Sequence, residues 1–89
     1  MKIMIMDGQG GGVGRSLVEA LRSRYPDVEL IVVGTNAAAT ANMMKGGAAI
    51  GATGENAVVY NSARVDVILG PIGIIMANAM LGEITPRMA

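Results

Sequence analysis

The sequence predicts an α/β fold, an open parallel sheet with helices on both faces, in a single domain over residues 1–89. Three observations carry this expectation. Apolar runs of strand length recur at Ile3–Met6, Leu30–Val33 and Val65–Leu69, and the first two lack alternation, as strands buried on both faces do. Segments of helical periodicity lie between runs. Glycine or proline punctuates almost every element. Strands that alternate with crossover-length helices build parallel sheets.

Ile3-Met4-Ile5-Met6 predicts the first strand, ending at Asp7-Gly8. Val13, Leu17, Val18 and Leu21 then recur at helical spacing, with Arg15, Glu19, Arg22 and Arg24 opposite. Pro26 disfavours helix in the residue before it, so Tyr25-Pro26-Asp27 ends that helix. Leu30–Val33 is the second strand, closed by Gly34. Asn36 is the expected N-cap of an Ala-rich helix running to Met44-Lys45, with Gly46-Gly47 as its stop. Ala48-Ala49-Ile50 reads as a very short strand, and Gly51-Ala52-Thr53-Gly54 as a loop. Glu55–Ala63 is ambiguous by pattern; Asn61-Ser62-Ala63-Arg64 reads poorly as strand and tilts it to helix. Val65–Leu69 is the next clear strand, ended by Gly70-Pro71-Ile72-Gly73. Ile74–Leu81 is expected to be helical and to stop at Gly82. Thr85-Pro86-Arg87 pairs a capping residue with proline at the first helical position. The chain ends as that helix begins, which predicts a fold truncated at its C-terminus.

Composition narrows the function classes. The chain is 52% hydrophobic and 16% charged, well away from disorder. Its apolar residues are almost all aliphatic, with eight Met, two Tyr, no Phe and no Trp. So much apolar surface on so short a chain predicts a homo-oligomer or a further C-terminal piece of the domain. Seven basic and seven acidic residues cancel, which leaves no electrostatic footprint for nucleic acid or anionic lipid. The absence of Cys and His excludes a disulfide scaffold, a Cys/His zinc site, a Cys nucleophile and a His base. The apolar start is too short for a signal peptide, and Ile72–Leu81 is about half the length of a membrane span. A cytoplasmic protein with no membrane partner is expected.

The central motif is Asp7-Gly8-Gln9-Gly10-Gly11-Gly12-Val13-Gly14-Arg15-Ser16, with five glycines in the seven positions 8–14. After a strand and before a helix, such a turn lets the backbone approach a ligand closely. The helix behind it presents free N–H groups and a positive dipole end, which together favour a phosphate. Gly8, Gln9, Gly10, Gly11, Gly12, Val13 and Gly14 are therefore the expected phosphate-binding residues. The competing reading is a glycine turn that only lets helix and sheet pack closely. Asp7 is unusual beside a phosphate, and three roles stay open for it: bonding backbone N–H groups in the turn, coordinating Mg²⁺, or touching a ribose hydroxyl. No metal site is expected otherwise.

The spacing Gly8, Gly12, Gly14 resembles the cofactor loop of short-chain dehydrogenases, which implies NAD or NADP as cofactor. That family usually has Thr where this chain has Asp7. A dinucleotide site of this kind places an acid about 20 residues beyond the glycines to hold the ribose; here that position reads Gly34-Thr35-Asn36. Thr35 and Asn36 are expected to contact the cofactor, with NAD against NADP left open and a plain helix cap as the alternative for Asn36. Gly70, Pro71, Ile72 and Gly73 follow a strand expected beside the first, flanking the switch-point crevice. They complete the cofactor-binding set, or form an ordinary strand-to-helix turn. Thr53, Glu55 and Asn56 are candidates for the substrate side, or a turn and cap. Gly11-Gly12-Val13-Gly14-Arg15-Ser16 is also similar to the deviant P-loop of ParA/MinD-type ATPases. Arg15 and Gly10 stand where that family has its lysines, and no acid closes Val67–Leu69, so the parts that handle a γ-phosphate are absent. Tyr60 and Arg64 echo a Tyr-x-x-x-Lys dehydrogenase pair, but on a segment leading to the far edge of the sheet.

Taken together, the glycine motif, Gly34-Thr35-Asn36, Gly51-Ala52-Thr53-Gly54-Glu55-Asn56 and Gly70-Pro71-Ile72-Gly73 resemble a family of small, uncharacterised Rossmann-like bacterial proteins. The resemblance covers essentially the whole chain. It implies a domain of unknown function whose members continue beyond residue 89, and no activity to carry over. The expected function is nucleotide or dinucleotide binding. An NAD(P)-dependent oxidoreductase would take its proton donor from Glu55, Tyr60, Lys45 or Thr53. The alternative is a non-catalytic nucleotide-sensing or assembly subunit.

Overall fold

The computed structural model describes residues 1–89. Four strands, β1 (Lys2–Asp7), β2 (Glu29–Gly34), β3 (Ile50–Thr53) and β4 (Val67–Leu69), form one sheet in the order β3-β2-β1-β4. Every pairing is parallel. Helices α1 (Gly12–Arg24), α2 (Ala37–Lys45) and α3 (Glu55–Ser62) connect them. This is the open, Rossmann-like parallel sheet that the alternation of elements predicts.

The continuous apolar runs are explained by two-sided burial. In β1, Ile3 and Ile5 face one core with Leu30, Val32, Val18 of α1 and Met43 of α2. Met4 and Met6 face the other, with Val33, Val58 of α3, Ile74 and Ile84. Successive strand residues point to opposite faces, so a central strand covered on both sides has no position for a polar residue. β1 holds to this from Ile3 to Met6, between exposed Lys2 and buried Asp7.

The chain runs outward from β1 to β2 to β3, then crosses back to β4 on the other side of β1. The ends of β1, β2 and β3 lie in register, with Asp7 opposite Gly34 and Gly34 opposite Thr53. The loops after β1 and β4 therefore flank the switch point, where ligands of such sheets bind.

Most element boundaries agree with the pattern. Asn36 caps α2, its side chain accepting from the Ala39 N–H at 2.8 Å. Thr85 accepts from the Met88 N–H at 3.2 Å, the bond expected of an N-cap ahead of Pro86. Two expectations are corrected. Ala48-Ala49-Ile50 is not the third strand and Gly51–Thr53 is not a loop: β3 is Ile50–Thr53. Ladder bonds to β2 need only backbone, and Gly51 lets α2 come close, since a Cβ there would lie 2.7 Å from Met44 Sδ. The expected helix Ile74–Leu81 is also absent. A single 3₁₀ turn at Ile72–Ile75 is followed by turns in which Asn78, Met80 and Leu81 take φ of 66, 56 and 58°. Left-handed backbone costs a non-glycine residue roughly 1–2 kcal/mol. Tertiary contacts hold it in place: Asn78 N–H bonds Ile84 O at 2.6 Å, and Ile84 is fully buried. Β4 is shorter than the run Val65–Leu69 suggests, because Asp66 turns out to accept from the Lys2 N–H at 2.8 Å.

The structure sorts the loop glycines by what a side chain would meet. Gly11 has φ of 74°, and a Cβ there would lie 2.7 Å from Ala39 O of α2. Gly10 and Gly12 have no atom within 4 Å of an added Cβ. Gly11→Ala is thus expected to destabilise the fold by about 1–3 kcal/mol, whereas Gly12→Ala, at the first turn of a helix, is expected to stabilise it by about 0.5 kcal/mol. Chemical denaturation of the two variants beside the parent measures the difference.

Candidate functional site

The site is built on the turn between β1 and α1. Asp7, the last residue of β1, is only 4% exposed. Its Oδ1 accepts from the Gly8 N–H and its Oδ2 from the Gly14 N–H, each at 2.7 Å. Helix α1 lacks a side-chain cap, because its N-cap residue is Gly11 in a left-handed conformation. Asp7 makes from the strand the bond to the third helical N–H that a capping side chain would make, and its charge faces the positive end of the helix dipole. Of the three roles open for Asp7, bonding turn amides is the one the structure shows. Gly14 is glycine because its Cβ would press on Asp7 and on Met43 of α2.

The carbonyls of the turn are also engaged. Gly8 O accepts from Gly11 N at 3.0 Å and Gly11 O from Arg15 N at 2.9 Å. Gln9 O accepts from Asn36 Nδ2 and Gly10 O from Asn42 Nδ2, both at 3.0 Å. The N–H groups of Gly10, Gly12 and Val13 have no protein acceptor. Four consecutive carbonyls are tied inward or toward α2, and three amides are left over. Such a surface donates hydrogen bonds and accepts few, the polarity that suits an anion.

A concavity of about 340 Å³ lies over this turn, lined by residues 7–13 together with Pro71 and Met80. Of the β4 loop, Pro71 reaches the glycine turn. Gly70 packs its backbone on Met6 O of β1, while Ile72 and Gly73 form the first half of the 3₁₀ turn and do not line the concavity. Thr35 and Asn36, at the end of β2, stand beside the turn: Thr35 N–H bonds Asp7 O at 3.0 Å. The proposed substrate-side residues lie elsewhere. Thr53 shares a 2.8 Å bond with Thr40, Glu55 is 3.9 Å from Arg87, and Asn56 is exposed on α3. Tyr60 lies under the Arg64 guanidinium at 3.7 Å, at the opposite end of α3 from the strand-end loops. Lys45 is exposed at the end of α2.

One residue enters this cluster without any sequence signal. Glu83, in the turns that follow the 3₁₀ segment, reaches back across the end of β2. Its Oε1 accepts from Thr35 Oγ1 at 2.7 Å, Asn36 Nδ2 at 2.7 Å and Gln9 N at 3.1 Å. The Thr35 hydroxyl, then the Asn36 amide, hold its carboxyl below the usual glutamate value; partial burial opposes them, and the Gln9 amide adds to the lowering. No motif spacing links Glu83 to the glycines, and only the chain reversal at 76–82 brings it here. No group of three or more acidic residues is placed to hold a metal ion, and no helix is long and apolar enough to cross a membrane.

Two predictions follow from these carboxylates. Asp7→Asn leaves one of the two turn amides facing an NH₂ group, and is expected to cost about 1–3 kcal/mol of stability, read by denaturant unfolding. A carboxyl whose value is lowered by folding adds stability that is complete at neutral pH and disappears as pH falls through its folded value. Below about pH 4.3, where an unfolded-chain glutamate protonates, the parent is expected to lose melting temperature more steeply than Glu83→Gln.

No curated protein and no solved structure matches the chain. A family model described as a domain of unknown function, DUF3842, matches residues 2–89. The chain, with its parallel sheet and its amide-lined turn between β1 and α1, belongs to that family of unknown function.

Proposed function

We propose that this protein binds a nucleotide through the turn at Gly8–Gly14, with NAD or NADP as the ligand class. One observation carries the reading: three unengaged amides, at Gly10, Gly12 and Val13, lie where a Cβ on either of two glycines would enter open space. Gly8, Gly11 and Gly14 are each demanded by packing, since a Cβ would meet Met80, Ala39 or Met43. A Cβ at Gly10 or Gly12 would meet nothing, so packing does not call for a bare backbone there, and close approach of a ligand would. The phosphate would lie on the amides at the start of α1, with Val13, Pro71 and Met80 as the apolar wall for the rest of the molecule.

The same geometry favours binding without turnover. The concavity offers backbone amides, apolar contacts and one carboxylate whose two oxygens both accept turn amides. None of Glu55, Tyr60, Lys45 and Thr53 lines it. Exposed Ile68, Ile72, Ile75, Met76 and Leu81 further suit a subunit that assembles with copies of itself or a partner.

A melting screen against NAD, NADP, ATP, flavins and nucleotide sugars tests the reading. A ligand at 100 times its Kd adds roughly 2.7 kcal/mol, which raises the melting temperature of a domain this small by about 10 °C or more. Gly12→Val is expected to abolish the rise and leave the unliganded transition within a few degrees, about the span of 1 kcal/mol. A panel in which nothing moves the transition sinks the proposal, and so does a Gly12→Val protein that binds as the parent does.

A further inference from the structure

The end of β2 is where a dinucleotide on the β1 turn places its adenosine ribose, and where the missing acid of the sequence motif is expected. Gly34-Thr35-Asn36 contains no carboxylate. The carboxylate found at that position comes from the other side of the switch point. Glu83 is bound there by Thr35, Asn36 and the Gln9 amide, all three through Oε1. Its Oε2 has no protein donor. A carboxylate anchored by one oxygen and open at the other is arranged to accept from a hydroxyl. The three donors restrict its rotation, so little freedom is lost when a ligand hydroxyl arrives.

We propose that Glu83 is the ribose-reading acid of this site, and that the ligand carries free ribose hydroxyls at the β2 end, as NAD does and NADP does not. The inference rests on the phosphate-turn reading above and goes beyond it by choosing between the two cofactors. A 2′-phosphate in this place would bring two or so negative charges against the Glu83 carboxylate, and would remove the hydroxyl that bonds to Oε2. The basic residue of the glycine motif does not relieve this. Arg15 turns its guanidinium to Asn42 Oδ1 at 2.9 Å and toward Glu19 at 4.0 Å.

Titration calorimetry of the full chain with NAD and with NADP tests the proposal. The parent is expected to bind NAD at least about tenfold more tightly than NADP, the worth of one charge-assisted hydrogen bond. Glu83→Gln keeps an oxygen for Thr35 and Asn36 but no charge, and is expected to bring the ratio close to one, chiefly by gaining NADP. Equal affinities in the parent, or a preference for NADP, overturn the role of Glu83 and leave the phosphate turn standing. A ratio unchanged in a folded Glu83→Gln does the same. Binding of neither cofactor overturns this inference together with NAD or NADP as the ligand class, while the phosphate turn itself stands or falls with the wider nucleotide panel. Should Glu83→Gln fail to fold, equal affinities or an NADP preference in the parent still overturn the proposal.

Discussion

The bond between the Asp7 carboxylate and the amides of Gly8 and Gly14 is the constraint on which the rest of this site depends. A buried carboxylate is costly unless its lone pairs are filled, and here both oxygens accept at 2.7 Å. The bond joins the end of the central strand to the third residue of α1. It sets the direction in which the helix leaves the sheet, and it fixes both ends of the turn. With those ends fixed, the remaining residues, Gln9 to Val13, have few ways to close the gap. Gly11 must turn through a left-handed conformation, and its backbone comes against α2. Helix α2 then answers with Asn36 and Asn42, which bind the carbonyls of Gln9 and Gly10.

The consequence is a turn with an inner and an outer chemistry. Its carbonyls from Gly8 to Gly11 accept protein donors; the amides of Gly10, Gly12 and Val13 have no protein acceptor. Asp7 has a double bearing on the proposed phosphate site. It takes the Gly14 amide away from any ligand, so fewer donors remain than in a turn without an acid. It also holds the others in place before a ligand arrives, which lowers the cost of binding. At the proposed phosphate site the donors would therefore be backbone amides rather than lysine side chains.

The segment after β4 shows how tertiary contacts override a local pattern. Ile74–Leu81 has helical composition, but a helix would carry Ile84 and Glu83 away from the sheet. The chain instead accepts left-handed backbone at Asn78, Met80 and Leu81. In return Ile84 reaches the core under α3, Met80 lies against Gly8, and Glu83 binds the end of β2. Three left-handed residues cost roughly 3–6 kcal/mol together, so the burial of Ile84, about 1.5–3 kcal/mol, offsets them only together with the Met80 packing and the three hydrogen bonds of Glu83.

Much was legible in the residues alone. Ile3–Met6 and Leu30–Val33 read as strands covered on both faces, Asn36 as a helix cap or a cofactor contact, of which the structure shows the cap, and a glycine string between strand and helix marked the turn. These features are local: strand period, capping and chain reversal are decided within a few residues. The placement of β3 was not legible, because the ladder from Gly51 to Thr53 uses backbone groups that leave no trace in side-chain pattern. Which glycines serve packing and which stay open was decided only when α2 came against the turn. Glu83 was least legible of all. Its distance from Thr35 along the chain is 48 residues, and nothing but the folded path brings them together. The amino-acid sequence by itself determined a parallel α/β sheet and a turn able to present amides. The tertiary structure decided which amides remain free and which carboxylates stand beside them, because those depend on contacts between elements that no local pattern encodes.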